Sequence, residues 1–118
     1  MASIKLNPAA DHEQVIDRVR ETFEARDYHW QEVEPGRATA SEGGRPVKTS
    51  AIPVSQRLRV AVQLDPGSDT LHLTRETLGA AYAAGTPGGG FFFVRLGQRF
   101  RKMVKATRED LAAAGLAA

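Results

Sequence analysis

The sequence predicts an α+β two-layer sandwich: an antiparallel sheet of four to five strands, with an N-terminal helix and a long C-terminal helix packed on one face. Three observations predict it. Residues 57–65, RLRVAVQLD, alternate strictly, with Leu58, Val60, Val62 and Leu64 on one side and Arg57, Arg59, Ala61 and Gln63 on the other. That is the pattern of a strand with one buried and one wet face. The extended runs are joined by Pro35-Gly36 and by Pro66-Gly67-Ser68-Asp69, whose residues suit tight turns and therefore antiparallel neighbours. Apolar residues at helical spacing bracket the whole: Val15, Ile16, Val19 and Phe23 near the start, and Phe92, Leu96, Phe100, Met103, Val104, Thr107 and Leu111 near the end.

Taken in order, residues 3–6 form a short edge strand with Ile4 and Leu6 on one face. Asn7-Pro8 offers a helix opening, and Asp11 offers a second cap closer to the apolar stripe. The first helix should end near Arg26 or Asp27. Residues 28–34 read as a strand with Tyr28 and Trp30 on one face; His29, Gln31 and Val33 take the other. Residues 37–42 return beside it, and Ala38 and Ala40 leave room for a bulky neighbour such as Trp30. Residues 41–56 admit two readings, a short edge strand over 47–52 or a surface loop.

After 57–65, residues 70–77 turn back with Leu71 and Leu73 inward. Arg75 also falls on the inward face, which requires a place at the sheet margin or an acidic partner. Residues 78–90, rich in Gly and Ala, form a flexible connector with Tyr82 as its one large side chain. The final helix follows, with Gly97 as its weak point. That glycine marks either a close approach to the sheet or a break after a short strand over 91–96, and the continuous helix is the expectation. At about 100° per residue, Phe91, Phe92 and Phe93 cannot all share one narrow helix face. Residues 113–118 form a frayed tail.

The 118 residues, 12.8 kDa, fit a single domain spanning 1–118. An apolar fraction of 42% with 25% charged residues belongs to a globular chain with an ordinary core. With no cysteine, disulfide and thiolate chemistry are excluded, in keeping with a reducing compartment. No basic segment precedes an apolar run at the N-terminus, and no apolar run is long enough to span a membrane, so the expected location is the cytoplasm. The net charge of +2 hides an asymmetry. Residues 11–34 carry eight acids against three arginines, whereas residues 95–108 carry six bases and no acid. Acidic and basic helices lying side by side explain this most simply; an anionic partner is the alternative.

No catalytic motif is present, and an enzyme is not expected. His12, His29 and His72 lie on separate elements without metal-ligand spacing, so no metal and no cofactor are expected. Glu32 and Glu34 adjoin a turn and read as a solvated pair, and Ser41, Ser50 and Ser55 have no identifiable base. Gly88-Gly89-Gly90 precedes a helix but belongs to no phosphate-binding fingerprint and reads as a joint. On the last helix, Arg101, Lys105 and Arg108 lie on the outer side, as a solvated face or as a basic patch.

The element order, and no motif, resembles helix-grip, START-like ligand-binding domains and small secretion-chaperone-like folds. The START-like resemblance implies a pocket between the last helix and the sheet, lined by Trp30, Arg75, Tyr82 and Phe92 and able to hold a small apolar ligand. Three functions follow as expectations. The first is a non-enzymatic interaction module that self-associates or binds a protein. The second is a small-ligand carrier with that pocket. The third is an anion or nucleic-acid binder using Arg101, Lys105 and Arg108.

Overall fold

The structure, a computed structural model, describes residues 2–43, 58–76 and 89–118, with the side chains of the last segment described from residue 97 onward. Among the described residues the elements are, in order, β1 (Ala2–Lys5), α1 (His12–Glu24), β2 (Tyr28–Glu34), β3 (Arg37–Glu42), β4 (Arg59–Asp65), β5 (Thr70–Arg75) and α2 (Gly89–Ala113). The strands form one antiparallel sheet in the order β1-β5-β4-β3-β2. The α+β two-layer arrangement is the one the alternation and the two helical stripes predict.

Each hairpin follows from its turn residues. Pro35-Gly36 joins β2 to β3, with Trp30 opposite Ala40 and Glu32 opposite Ala38. The small residues on β3 thus give the indole the room the sequence suggested. A bulge follows at Val33, which is left 59% exposed, the one large exposed apolar side chain among the described residues. Between β4 and β5 the Asp65 carboxylate accepts hydrogen bonds from the Gly67 amide (3.1 Å) and the Ser68 hydroxyl (2.9 Å), closing the turn locally. Leu64 then meets Leu71, and Val62 meets Leu73.

Of the two caps available to α1, Asp11 is the one used: its carboxylate accepts from the Glu13 amide at 3.1 Å. Asn7 instead builds a tight turn that receives the Ala9 amide. The helix ends at Glu24, slightly before the expected boundary, and Asp27 turns the chain with φ of 65°. Val15, Val19 and Phe23 are fully buried. Phe23 meets Tyr28 edge to face, with ring centroids 5.1 Å apart, and lies 6.1 Å from Trp30. On α2, Met103, Val104, Thr107 and Leu111 are buried and Phe100 is half-buried, so both helices share one core with the inward side chains of the sheet.

Thr22 on α1 locks the helices together. Its hydroxyl lies 2.6 Å from an Asp110 carboxylate oxygen on α2, and Arg26 stands 3.9 Å from the same oxygen.

The end of the chain differs from the expected frayed tail. Gly115 adopts φ of 74° and lets the chain double back, with the Leu116 amide donating to the Leu111 carbonyl at 2.8 Å. Leu116 is buried, Ala117 bridges Leu6, the Asn7 amide donates to the Leu116 carbonyl and the Ala118 amide to the Lys5 carbonyl. The tail therefore extends the pairing around β1.

Of the expected edge strand or loop over 41–56, residues 41 and 42 end β3, and residues 44–56 lie outside the described residues, as do residues 78–88 of the expected connector over 78–90. Gly89 and Gly90 belong to α2 rather than to a joint, and residues 91–96 are helical. No helix among the described residues is long and apolar enough to cross a membrane.

Candidate functional site

The apolar stripe of α2 fixes which charges face outward. With Met103, Val104, Thr107 and Leu111 held in the core, Arg101, Lys102, Lys105 and Arg108 are all exposed. Arg101, Lys105 and Arg108 stand at i, i+4 and i+7, so they form one row along about two turns of helix. None of these four cations has an acidic partner among the described residues. Arg99, two residues before Arg101, is different. Its guanidinium donates to Glu42 at the end of β3 over 2.7 Å, an ion pair short enough to pin α2 to the sheet.

Glu42 gathers a further donor. The Leu58 amide approaches the same carboxylate oxygen at 3.3 Å, and the Tyr28 hydroxyl lies within reach of its charge. Burial, and then the negative charge of Glu42, push the Tyr28 hydroxyl well above its ordinary pKa, although Arg99 opposes the shift. Tyr28, Glu42 and Arg99 thus form a neutral–anionic–cationic series. They line a groove of about 580 Å³ with Arg26, Lys102 and Lys105 around it. The groove and the outer row share Lys105, so the basic residues form one continuous surface from the start of β2 to the outer side of α2.

The four residues expected to line one pocket are not seen to converge. Trp30, Ala40, Val60 and Arg75 occupy one row across four strands, with Trp30 and Arg75 at its ends. Three strand spacings, about 14 Å, therefore separate their backbones. Trp30 is buried beside Phe23 and lines a different groove, on the far side of α1. Arg75 reaches toward α2: its Nη1 lies 2.9 Å from where a Cβ on Gly97 would stand. Gly97 thus marks the close approach that the sequence allowed. Tyr82 and the Phe92 side chain lie outside the described residues. The three expected patch residues, Arg101, Lys105 and Arg108, do lie together on one exposed side.

Sequence reasoning missed Glu42. The signal was present in the alternation: Ala38, Ala40 and Glu42 share one side of β3, and the first two are buried. An acid at the end of an inward row demands a partner, and Arg99 supplies it.

Several polar side chains away from this groove have partners of their own. His12 Nε2 lies 3.4 Å from Asp69, His72 Nδ1 lies 3.0 Å from the Ser3 hydroxyl, and Glu34 pairs with Arg37 at 3.1 Å. No cluster of three or more metal-ligating side chains occurs among the described residues. No family model, curated protein or solved structure matches the chain.

Proposed function

We propose that this chain is a non-enzymatic interaction module that binds a protein partner through the cationic side of α2, and that the partner presents an acidic segment. The observation that carries this reading is the row Arg101, Lys105 and Arg108, with Lys102 beside it: exposed cations with no acidic partner among the described residues. Such a row is poised to receive carboxylates, because each cation trades only hydration for a charge-assisted hydrogen bond. The helix that carries it is fixed before any partner arrives, by Arg99–Glu42 at one point and Thr22–Asp110 at another. A rigid surface loses little conformational entropy on binding. A protein fits the site better than nucleic acid. The row covers only about 10 Å of helix, room for a few carboxylates rather than for an extended run of phosphates.

The test is the binding of a fluorescein-labelled oligoglutamate peptide, followed by anisotropy at low and moderate salt. Binding should weaken as salt rises. It should fall at least about tenfold in Arg101→Glu/Lys105→Glu/Arg108→Glu, as expected when three cations become repulsive. Equal binding by that variant refutes the reading. Duplex DNA held more tightly than the peptide at the same salt replaces it with nucleic-acid recognition.

A further inference from the structure

A second groove, of about 480 Å³, lies between the first half of α1 and the turns of the two hairpins. It shares no lining residue with the cationic groove. Ile16, Trp30 and Leu64 give it an apolar floor. Glu13 and Asp17, one turn apart on α1, and Glu32 on β2 stand around it, and all three are exposed. The neighbouring bases are already engaged: Arg20 donates to Glu24 at 3.1 Å, and His12 lies 3.4 Å from Asp69. Glu13, Asp17 and Glu32 have no basic partner among the described residues. The groove therefore combines an apolar floor with an uncompensated negative border.

We propose that this groove is a second docking site, for a cationic peptide segment that carries an apolar side chain between basic residues. The apolar side chain would rest on Ile16 and Trp30 and exclude water from them. The flanking lysine or arginine residues would lay their methylene stems along the groove and place their charged heads at Glu13, Asp17 and Glu32. Charge complementarity selects this occupant: an acidic segment meets three carboxylates, and a purely apolar one leaves them without partners. The site stands apart from the cationic side of α2, so either can exist without the other.

Trp30 is the only tryptophan in the chain and lines the groove, so its fluorescence reports occupancy directly. The experiment titrates the full chain with a short amidated peptide of alternating lysine and leucine. Controls alternate lysine with serine, and glutamate with leucine. The lysine–leucine peptide should change the Trp30 emission saturably, and each control should bind at least about tenfold more weakly. Glu13→Lys/Asp17→Lys/Glu32→Lys should weaken the lysine–leucine peptide by at least about tenfold, with an unchanged far-ultraviolet circular dichroism spectrum. The neutral variant Glu13→Gln/Asp17→Asn/Glu32→Gln should fall between it and the unaltered protein, and it serves if charge reversal impairs folding. Ile16→Ser should weaken the same peptide without altering oligoglutamate binding at α2. Equal binding of the lysine–leucine and glutamate–leucine peptides overturns the proposal, as does undiminished binding by both charge variants. A dimer of the free protein that the charge reversals dissolve also overturns it, because the occupant is then a second copy.

Discussion

Replacing Thr22 by Val probes the joint between the helices while leaving the volume of the side chain nearly unchanged. Thr22 is 2% exposed, so the substitution opens no cavity and removes only the hydroxyl. That hydroxyl has one proton and two acceptors within reach: the Asp110 carboxylate at 2.6 Å and the Arg18 carbonyl at 3.0 Å. The shorter, charge-assisted bond takes it. A hydrogen bond to a charged group contributes about 1.5–3 kcal/mol. The Asp110 side chain is 32% exposed and Arg26 stays at 3.9 Å, so water and the guanidinium recover part of the loss. The expected cost is about 1.5 kcal/mol, at the lower end of that range, or roughly 5 °C in melting temperature for a chain of this size. Urea unfolding should show a lower midpoint with an unchanged slope, because the surface exposed on unfolding is the same. A double-mutant cycle with Asp110→Ala should give a coupling of about 1 kcal/mol. A loss below about 0.3 kcal/mol for Thr22→Val, or additive effects in the cycle, would refute the joint.

Three further outcomes follow from the same structure. Deleting residues 114–118 removes the buried Leu116 and its backbone pairing with Lys5 and Asn7. It should cost about 3 kcal/mol in urea unfolding, from about 2 kcal/mol of apolar burial and a net hydrogen-bond contribution near 1 kcal/mol, whereas a frayed tail would cost almost nothing. The folded-state pKa of Tyr28 is raised, so the stability linked to its neutral hydroxyl is fully present below its unfolded pKa near 10. That stability should be lost as pH rises from there toward the folded value. Tyr28→Phe, compared by urea unfolding across this alkaline range, should flatten the decline; an equally steep decline would show that Tyr28 does not contribute. Gly97→Ala should gain about 0.5 kcal/mol by thermal unfolding, since the helix prefers Ala by about 1 kcal/mol and only the flexible end of Arg75 must move aside; a net loss would mean that Arg75 is held firmly where it lies.

The fold was legible wherever a local period carries it. Leu58, Val60, Val62 and Leu64 announce β4 and its buried side without reference to any other segment, and the stripe from Phe100 to Leu111 does the same for α2. The turns at Pro35-Gly36 and Pro66-Gly67 make their hairpins antiparallel for equally local reasons. What the pattern does not encode is choice of partner. Nothing in Ala2–Lys5 says that it pairs with β5, and nothing in the alanine-rich end says that Ala117 bridges Leu6. Both pairings depend on where two distant segments meet once the core has formed. The site divides in the same way. Helical spacing alone places Arg101, Lys105 and Arg108 on one side. The Tyr28–Glu42–Arg99 series depends on the register of β2 with β3 and on the path of α2 across the sheet. Trp30 and Arg75 both face inward, but facing inward on the same sheet does not bring two residues together. Their places at opposite ends of one row keep them about 14 Å apart.

The claim that the cationic side of α2 is a docking surface is tested most directly by mapping the amide resonances of the isotopically labelled chain during titration with unlabelled oligoglutamate. The account predicts shifts concentrated on residues 98–109 and on Arg26, Tyr28 and Glu42, fading as salt is raised. Shifts confined to the open face of the sheet around Gln31, Thr39 and Gln63, or none at a peptide concentration that saturates the anisotropy signal, would contradict it.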